Sequence, residues 1–220
     1  MSVSGLFLVL FLLFHMSMNL AAVFSTEAYN AICEFLGANW YALAGTLILA
    51  AGVVVHLVYA TVLTLHNRSS RGSQRYAMTA EPEGVTWASR NMYVLGIIIV
   101  LGLLLHLYNF WYNMQFAEII GNHELGPFPP ADGAAYIAAL FSSPVYCIIY
   151  PVWFAAIWFH LTHGFWSAFH TIAWDNQTWL PRLKRIANVV ATIVFLCFAL
   201  VVIVFYLRSL GVCGGSCAGF

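Results

Sequence analysis

Residues 47–63 read LILAAGVVVHLVYATVL, an apolar run with no charged residue and a single histidine, His56, near its middle. Hydrocarbon offers no partner for a backbone N–H or C=O, so a segment lying in it must close its own hydrogen bonds, as a helix does. A barrel strand would alternate apolar and polar side chains, and this run does not. At about 1.5 Å of rise per residue, about 20 residues cross a bilayer core of about 30 Å. Extended to its polar flanks, the run predicts a helix over about 40–66. Further runs meet the same condition at about 3–24, 89–116, 144–172 and 185–209. The expected fold is all-α, a single transmembrane domain over 1–220 with five spanning helices and a flexible tail at 210–220.

Composition agrees with that reading. Of 220 residues, 62% are hydrophobic and only 7% are charged, against roughly a quarter charged in a soluble domain. Eight Lys+Arg offset eight Asp+Glu, which leaves no basic excess for a nucleic-acid partner. The placement of charge says more than its sum. Arg68, Arg71, Arg75 and Arg90 lie between the second and third runs, and Arg182, Lys184 and Arg185 between the fourth and fifth. The opposite connections hold Glu27, Glu34, Glu118, Glu124 and Asp132, with Arg208 as the one cation on that side. The positive-inside rule then puts the N-terminus in the cytoplasm and the C-terminus outside, in a cell inner (cytoplasmic) membrane.

The opening SGLFLVLFLLF lacks a basic lead-in and a small-residue cleavage site, so it is expected to be the first span rather than a removed signal. Pro144 should open the fourth helix, Pro151 should bend it, and Pro181 should lie in the connection before the fifth. The stretch HELGPFPPADG, 123–133, predicts an extramembrane loop. Cys33, Cys147 and Cys197 stand singly in or beside apolar segments and should behave as small hydrophobes. Cys213 and Cys217, in CGGSC, suit either a tail disulfide outside the cytoplasm or a disordered Gly-rich tail.

Four of the eight histidines, His15, His56, His106 and His160, lie deep in the first four spans, one in each, and the fifth span has none. One such histidine is explained by a hydrogen bond to a neighbouring helix; an ionisable residue in a membrane is also a candidate for function. Four in consecutive helices match the needs of two b-type haems, each iron taking a histidine on both faces. Local wording supports this. In GVVVHL (52–57), GLLLHL (102–107) and AIWFHL (156–161) a small residue precedes the histidine by one helical turn. Gly52, Gly102 and Ala156 could leave room for a flat macrocycle, although ordinary helix packing also favours small residues. The first span departs from the pattern, with Phe11 at that position.

Depth suggests how the four are shared. His15 precedes Glu27, and His106 precedes Glu118, by twelve residues, which is about 18 Å from the acidic edge. His56 precedes Arg68 by the same interval, about 18 Å from the basic edge. His160 is near mid-membrane and its depth alone does not place it. Elimination pairs His15 with His106 towards the outside and His56 with His160 towards the cytoplasm. His163 suits a propionate or a backbone carbonyl of the fifth helix. His66 and His170 sit at basic helix ends, and His123 lies in the acidic-side loop. Many of the Trp and Tyr residues fall at predicted membrane boundaries, as an interfacial belt would.

Over essentially its whole length the chain resembles the di-haem cytochrome b subunit of succinate:quinone oxidoreductases, the complex II and fumarate reductase group. The resemblance rests on SGLFLVLFLLFHMSMNL with His15, VVVHLVYA with His56, LLLHLYNFW with His106 and FHLTHGFWSAFH with His160, and on the five spans. The wording of SGLFLVLFLLFH and AYNAICEFLGANWYAL is closest to fumarate reductase-type members that use menaquinone. The resemblance implies a membrane anchor for a flavoprotein and an iron–sulfur subunit on the cytoplasmic face. Electrons would pass between menaquinone or menaquinol and the iron–sulfur subunit, while succinate or fumarate reacts on the flavoprotein. A dimer of the complex stays open.

The resemblance also implies axial ligation by His15, His56, His106 and His160, and a quinone site near the outer haem. Asn19, one turn after His15, and Glu34, a carboxylate able to take a quinol proton, are the residues expected there. Ser4, Arg90 and His163 are the expected propionate partners. Some relatives carry an acidic residue near the fourth-helix histidine for proton transfer. Here Trp158 stands two before His160, which puts that route in doubt. A cytochrome b subunit of a hydrogenase, formate dehydrogenase or nitrate reductase is the nearest alternative. A His-lined transporter is a third, disfavoured because no Asp or Glu lies in the apolar cores.

Overall fold

Five helices are long and apolar enough to cross a membrane: Ser2–Phe24, Trp40–Ser70, Met92–Ile119, Pro144–Thr171 and Trp179–Ser209. They are seen in a computed structural model that describes residues 1–70, 86–174 and 176–212, among which there is no β-strand. Arg71 and Arg75, and the Cys213 and Cys217 tail, lie outside the described residues.

Helix ends follow the local chemistry. Thr86 and Ser89 form a reciprocal capping box at a short turn, Trp87–Arg90, that leads into the third span. Pro144 occupies the first turn of the fourth span, where its missing N–H has no partner to lose, and Pro151 lies within that helix as expected. The expected place of Pro181 is corrected. The fifth span begins at Trp179, so Pro181 lies in its first turn rather than in the connection. Proline is tolerated there because first-turn N–H groups have no intrahelical acceptor. Asn176 satisfies two of the first amides by accepting from Thr178 and Trp179, both at 2.9 Å.

Two elements at the acidic end are helical where loops were expected. Thr26–Phe35 is capped by Ser25, whose hydroxyl accepts from the Ala28 amide at 3.1 Å. Gly133–Phe141 is capped by Asp132, which accepts from the Ala135 amide at 3.1 Å. Asn30 clips the two together: its amide donates to Asp132 at 2.7 Å and its carbonyl accepts from the Ala134 amide at 2.9 Å. Residues 123–132 between the third span and the second of these helices stay irregular, as the prolines dictate.

The first span packs against the second, fourth and fifth, the third packs mainly on the fourth and lightly on the second, and the fifth lies along the fourth and first. The first four spans therefore follow one another around a four-helix ring. The first and third, like the second and fourth, stand on its diagonals and do not pack closely backbone to backbone among the described residues. Alanines at 0% exposure, Ala22, Ala117, Ala187 and Ala191, mark the tightest approaches, where small side chains let helix backbones close up. The larger buried cluster joins Ala22, Tyr29, Ile137, Phe141, Tyr150, Phe154 and Phe205 at the acidic end. Arg208 fastens that end. It donates to the carbonyls of Val23 at 2.8 Å and Ala22 at 3.5 Å, the last turn of the first span, and lies over the Phe205 ring.

Candidate functional site

The diagonals of the ring are where the four span histidines meet. The imidazoles of His15 and His106 face each other with centroids 5.7 Å apart and planes at 86°. Those of His56 and His160 do so at 6.3 Å and 69°. Each pair thus joins helices whose backbones stand apart, with the rings reaching into the middle of the bundle. Ser4 bonds to His56 Nδ1 at 3.3 Å, and His15 lies eleven residues further along the same helix. The two pairs are therefore about 16 Å apart along the first span. The pair nearer the acidic end is His15/His106.

Among the described residues no group of three or more His, Cys, Asp or Glu could hold a metal ion. A metal at either pair must bring its remaining ligands with it. Nitrogen–metal bonds of about 2.0–2.1 Å on opposite sides of an ion would put two imidazole centroids about 6 Å apart, the separation found in both pairs. The ring nitrogens His106 Nδ1, His160 Nδ1 and His163 Nδ1 are buried without a hydrogen-bond partner. An unpaired buried polar atom costs about 1–3 kcal/mol; His106 and His160 each belong to one of the pairs, and His163 lies one helical turn beyond His160.

The expected gaps are occupied by rings from neighbouring helices. A side chain at Gly52 would run into Phe7, and one at Gly102 into Trp153. Room for a flat group at these places requires Phe7 and Trp153 to swing aside. Ala156 is buried. The Trp153 indole donates to the Ile99 carbonyl at 3.1 Å and leans on His106 with centroids 5.7 Å apart. Phe11 stacks on His15 at 5.4 Å, and Phe198 of the fifth span lies 6.0 Å from it. The fifth span, which has no histidine, therefore walls the His15/His106 pair.

The other expected site residues divide. Ser4 reaches His56. His163 sits against Trp166 at 5.0 Å, and Lys184 lies 4.6 Å over the same Trp166 ring. Arg90 ends the short turn before the third span, at the basic edge. Asn19 faces His15, donating to its carbonyl at 2.8 Å and approaching its Nε2 at 3.3 Å. Glu34 does not join it. It is exposed on the Thr26–Phe35 helix. That helix and the first span border an open apolar hollow of about 380 Å³ lined by Phe14, Met18, Ala31, Ile32, Phe35 and Leu36.

Several contributors were not legible in the sequence. Tyr29 donates to Asn19 Oδ1 at 3.3 Å, and burial pushes its phenol pKa up, so that it stays a donor. Burial likewise pushes the neighbouring Cys33 thiol up to about 11. Beyond His106 the third span widens into a π-helix over Leu107–Phe116, a rare geometry that tends to accompany functional sites. Its amide side chains, Asn109, Asn113 and Gln115, all find partners. Asn109 donates to Tyr150 at 3.1 Å, and Gln115 accepts from Trp111 at 2.9 Å and Thr46 at 2.8 Å. Glu118 follows, accepting from the Ala38 amide at 2.7 Å. It is this carboxylate, not Glu34, that joins the acidic end of the third span to the connection before the second. Polar residues in LYNFWYNMQF were a visible signal; their partners were not. No family model, no curated protein and no solved structure matches the chain.

Proposed function

We propose that the chain is the di-haem cytochrome b membrane anchor of a succinate:quinone oxidoreductase, exchanging electrons between menaquinone and an iron–sulfur subunit. The observation that carries this reading is the pair of histidine contacts on the bundle diagonals. Two imidazoles and no third donor suit an iron whose other four ligands come from a porphyrin. His15 and His106 would hold one haem, His56 and His160 the other. When bound, each haem supplies a one-electron carrier, so the two levels form a path along the membrane normal.

The protein's own residues do the rest. Ser4 and Asn19 orient His56 and His15. Phe198, Trp153 and Phe11 keep water from the outer pair. The apolar hollow between the first span and the Thr26–Phe35 helix falls in the size range of small-molecule sites and offers a place for a quinone ring. Arg68, Arg90, Arg182, Lys184 and Arg185 line the basic edge, where a flavoprotein and its iron–sulfur partner would dock. The deciding measurement is a reduced-minus-oxidised visible spectrum with haem quantification. Two b haems per chain are expected, and a colourless purified protein would refute the reading. Co-purification of a flavoprotein and an iron–sulfur protein separates it from the hydrogenase, formate dehydrogenase and nitrate reductase types.

A further inference from the structure

The Asn19 amide can face His15 in two ways, and the difference decides which imidazole nitrogen keeps its lone pair. With the –NH₂ group towards the ring, as found, Asn19 Nδ2 is 3.3 Å from His15 Nε2 and 2.8 Å from the His15 carbonyl. An amide nitrogen only donates, so Nε2 must accept and the ring proton must sit on Nδ1. Were the amide flipped, its oxygen would face Nε2 and favour the other tautomer, with the proton on the nitrogen that would otherwise be free.

Two contacts oppose the flip: it would set Asn19 Oδ1 against the His15 carbonyl, which Nδ2 now bonds at 2.8 Å, and it would break a bond to Tyr29. The Tyr29 hydroxyl donates to Asn19 Oδ1 at 3.3 Å, a bond that the flipped amide would replace with an opposed pair of donors. Tyr29 is buried at 8% exposure. Its helix is held by the Ser25 cap and by the Asn30 clip to Asp132 and Ala134. A tyrosine on so braced an element is a fixed reference for the amide.

We infer that Tyr29 is a positioning residue for His15, acting through Asn19 to hold the imidazole with its lone pair on Nε2, ready to bind iron. The second Asn19 bond, to the His15 carbonyl, anchors the amide after Nε2 is given to the metal. The use of that lone pair rests on the haem reading above; the control of the tautomer does not.

The test uses the full chain in lipid nanodiscs with ¹⁵N-labelled histidine, as wild type, Tyr29→Phe, Asn19→Ala and the double variant. Before haem is added, Tyr29→Phe should move part of the His15 population from the Nδ1–H towards the Nε2–H tautomer, less than Asn19→Ala does because the bond to the His15 carbonyl remains, and leave the other histidine signals in place. An unchanged His15 tautomer overturns the inference whether or not the protein takes up haem. After loading, haem retention at the outer pair should fall about tenfold in Tyr29→Phe, the usual scale for losing a residue that orients a ligand. The inner pair should be unaffected. Tyr29→Phe should add nothing in the Asn19→Ala background; a full additional loss there overturns action through Asn19. A tautomer shift in Tyr29→Phe together with a wild type that binds no haem would sink the haem reading and leave the positioning role standing.

Discussion

Two glycines of the third span, six residues apart, meet opposite surroundings and make a sharp test of how the bundle is packed. A Cβ at Gly102 would fall into the Trp153 indole, whereas one at Gly96 would meet nothing within 4 Å. Alanine is favoured over glycine within a helix by about 0.8–1.0 kcal/mol, so Gly96→Ala should stabilise by up to that amount. Gly102→Ala gains the same propensity but must displace Trp153. Overpacking costs about 1–3 kcal/mol, and the indole also gives up its bond to the Ile99 carbonyl, a further loss of about 0.5–1.5 kcal/mol. The two variants should therefore differ by about 2–4 kcal/mol. At roughly 2–4 °C per kcal/mol for a chain of this size, thermal unfolding in detergent should separate them by about 10 °C, with Gly102→Ala the weaker. Because Trp153 leans on His106, any haem signal lost in Gly102→Ala should come from the outer pair first. Equal stability of the two variants would refute the packing argument, and with it the idea that Gly102 exists to admit the indole.

Other consequences are as direct. On the proposed di-haem reading, His56→Ala should remove the haem held with His160 and block quinone-linked turnover while sparing dye-linked succinate oxidation in the assembled complex; loss of only the haem held by His15 and His106 would overturn the pairing. Arg208→Ala frees the last carbonyls of the first span, so a charged hydrogen bond worth about 1.5–3 kcal/mol is lost. Denaturant titration should show that loss, and Arg208→Lys should recover part of it. The Cys33 thiol, raised by burial to about 11 from its ordinary 9, stabilises the fold fully below the unfolded value. That contribution disappears as pH rises from about 9 through about 11. Cys33→Ala should flatten the fall in stability over that window, and an unchanged pH profile would contradict the assignment.

The spans were legible because length and apolarity are local properties. A helix in hydrocarbon is bounded by where charges resume, so the first span was placed to within a residue and the second was right at its start. Its far end, like the start of the fifth span, was not. His66 and Arg68 lie inside the second span's last turns, and Pro181 inside the fifth span's first turn, because polar side chains near an interface can reach water without ending the helix. The short helices at the acidic end, Thr26–Phe35 and Gly133–Phe141, were missed because each is too short to cross a membrane, and length with apolarity was the signal that marked the spans. Only the Asn30–Asp132 clip reveals that each helix braces the other.

The sequence by itself determined five spans, one histidine in each of the first four, and the depth at which three of those histidines sit, since depth along a helix is arithmetic in a fixed rise. Which rings would meet was inferred by elimination. Only the tertiary structure decided the lateral order that puts the first and third, and the second and fourth, helices on diagonals with their imidazoles in contact. It also decided that Asn19 turns its amide to His15 with Tyr29 on its oxygen, while Glu34 is exposed. The physical reason is rotational. Helices apolar on nearly every side carry little pattern to say which face points inward, so the azimuth of each side chain is settled by packing against neighbours distant in the chain.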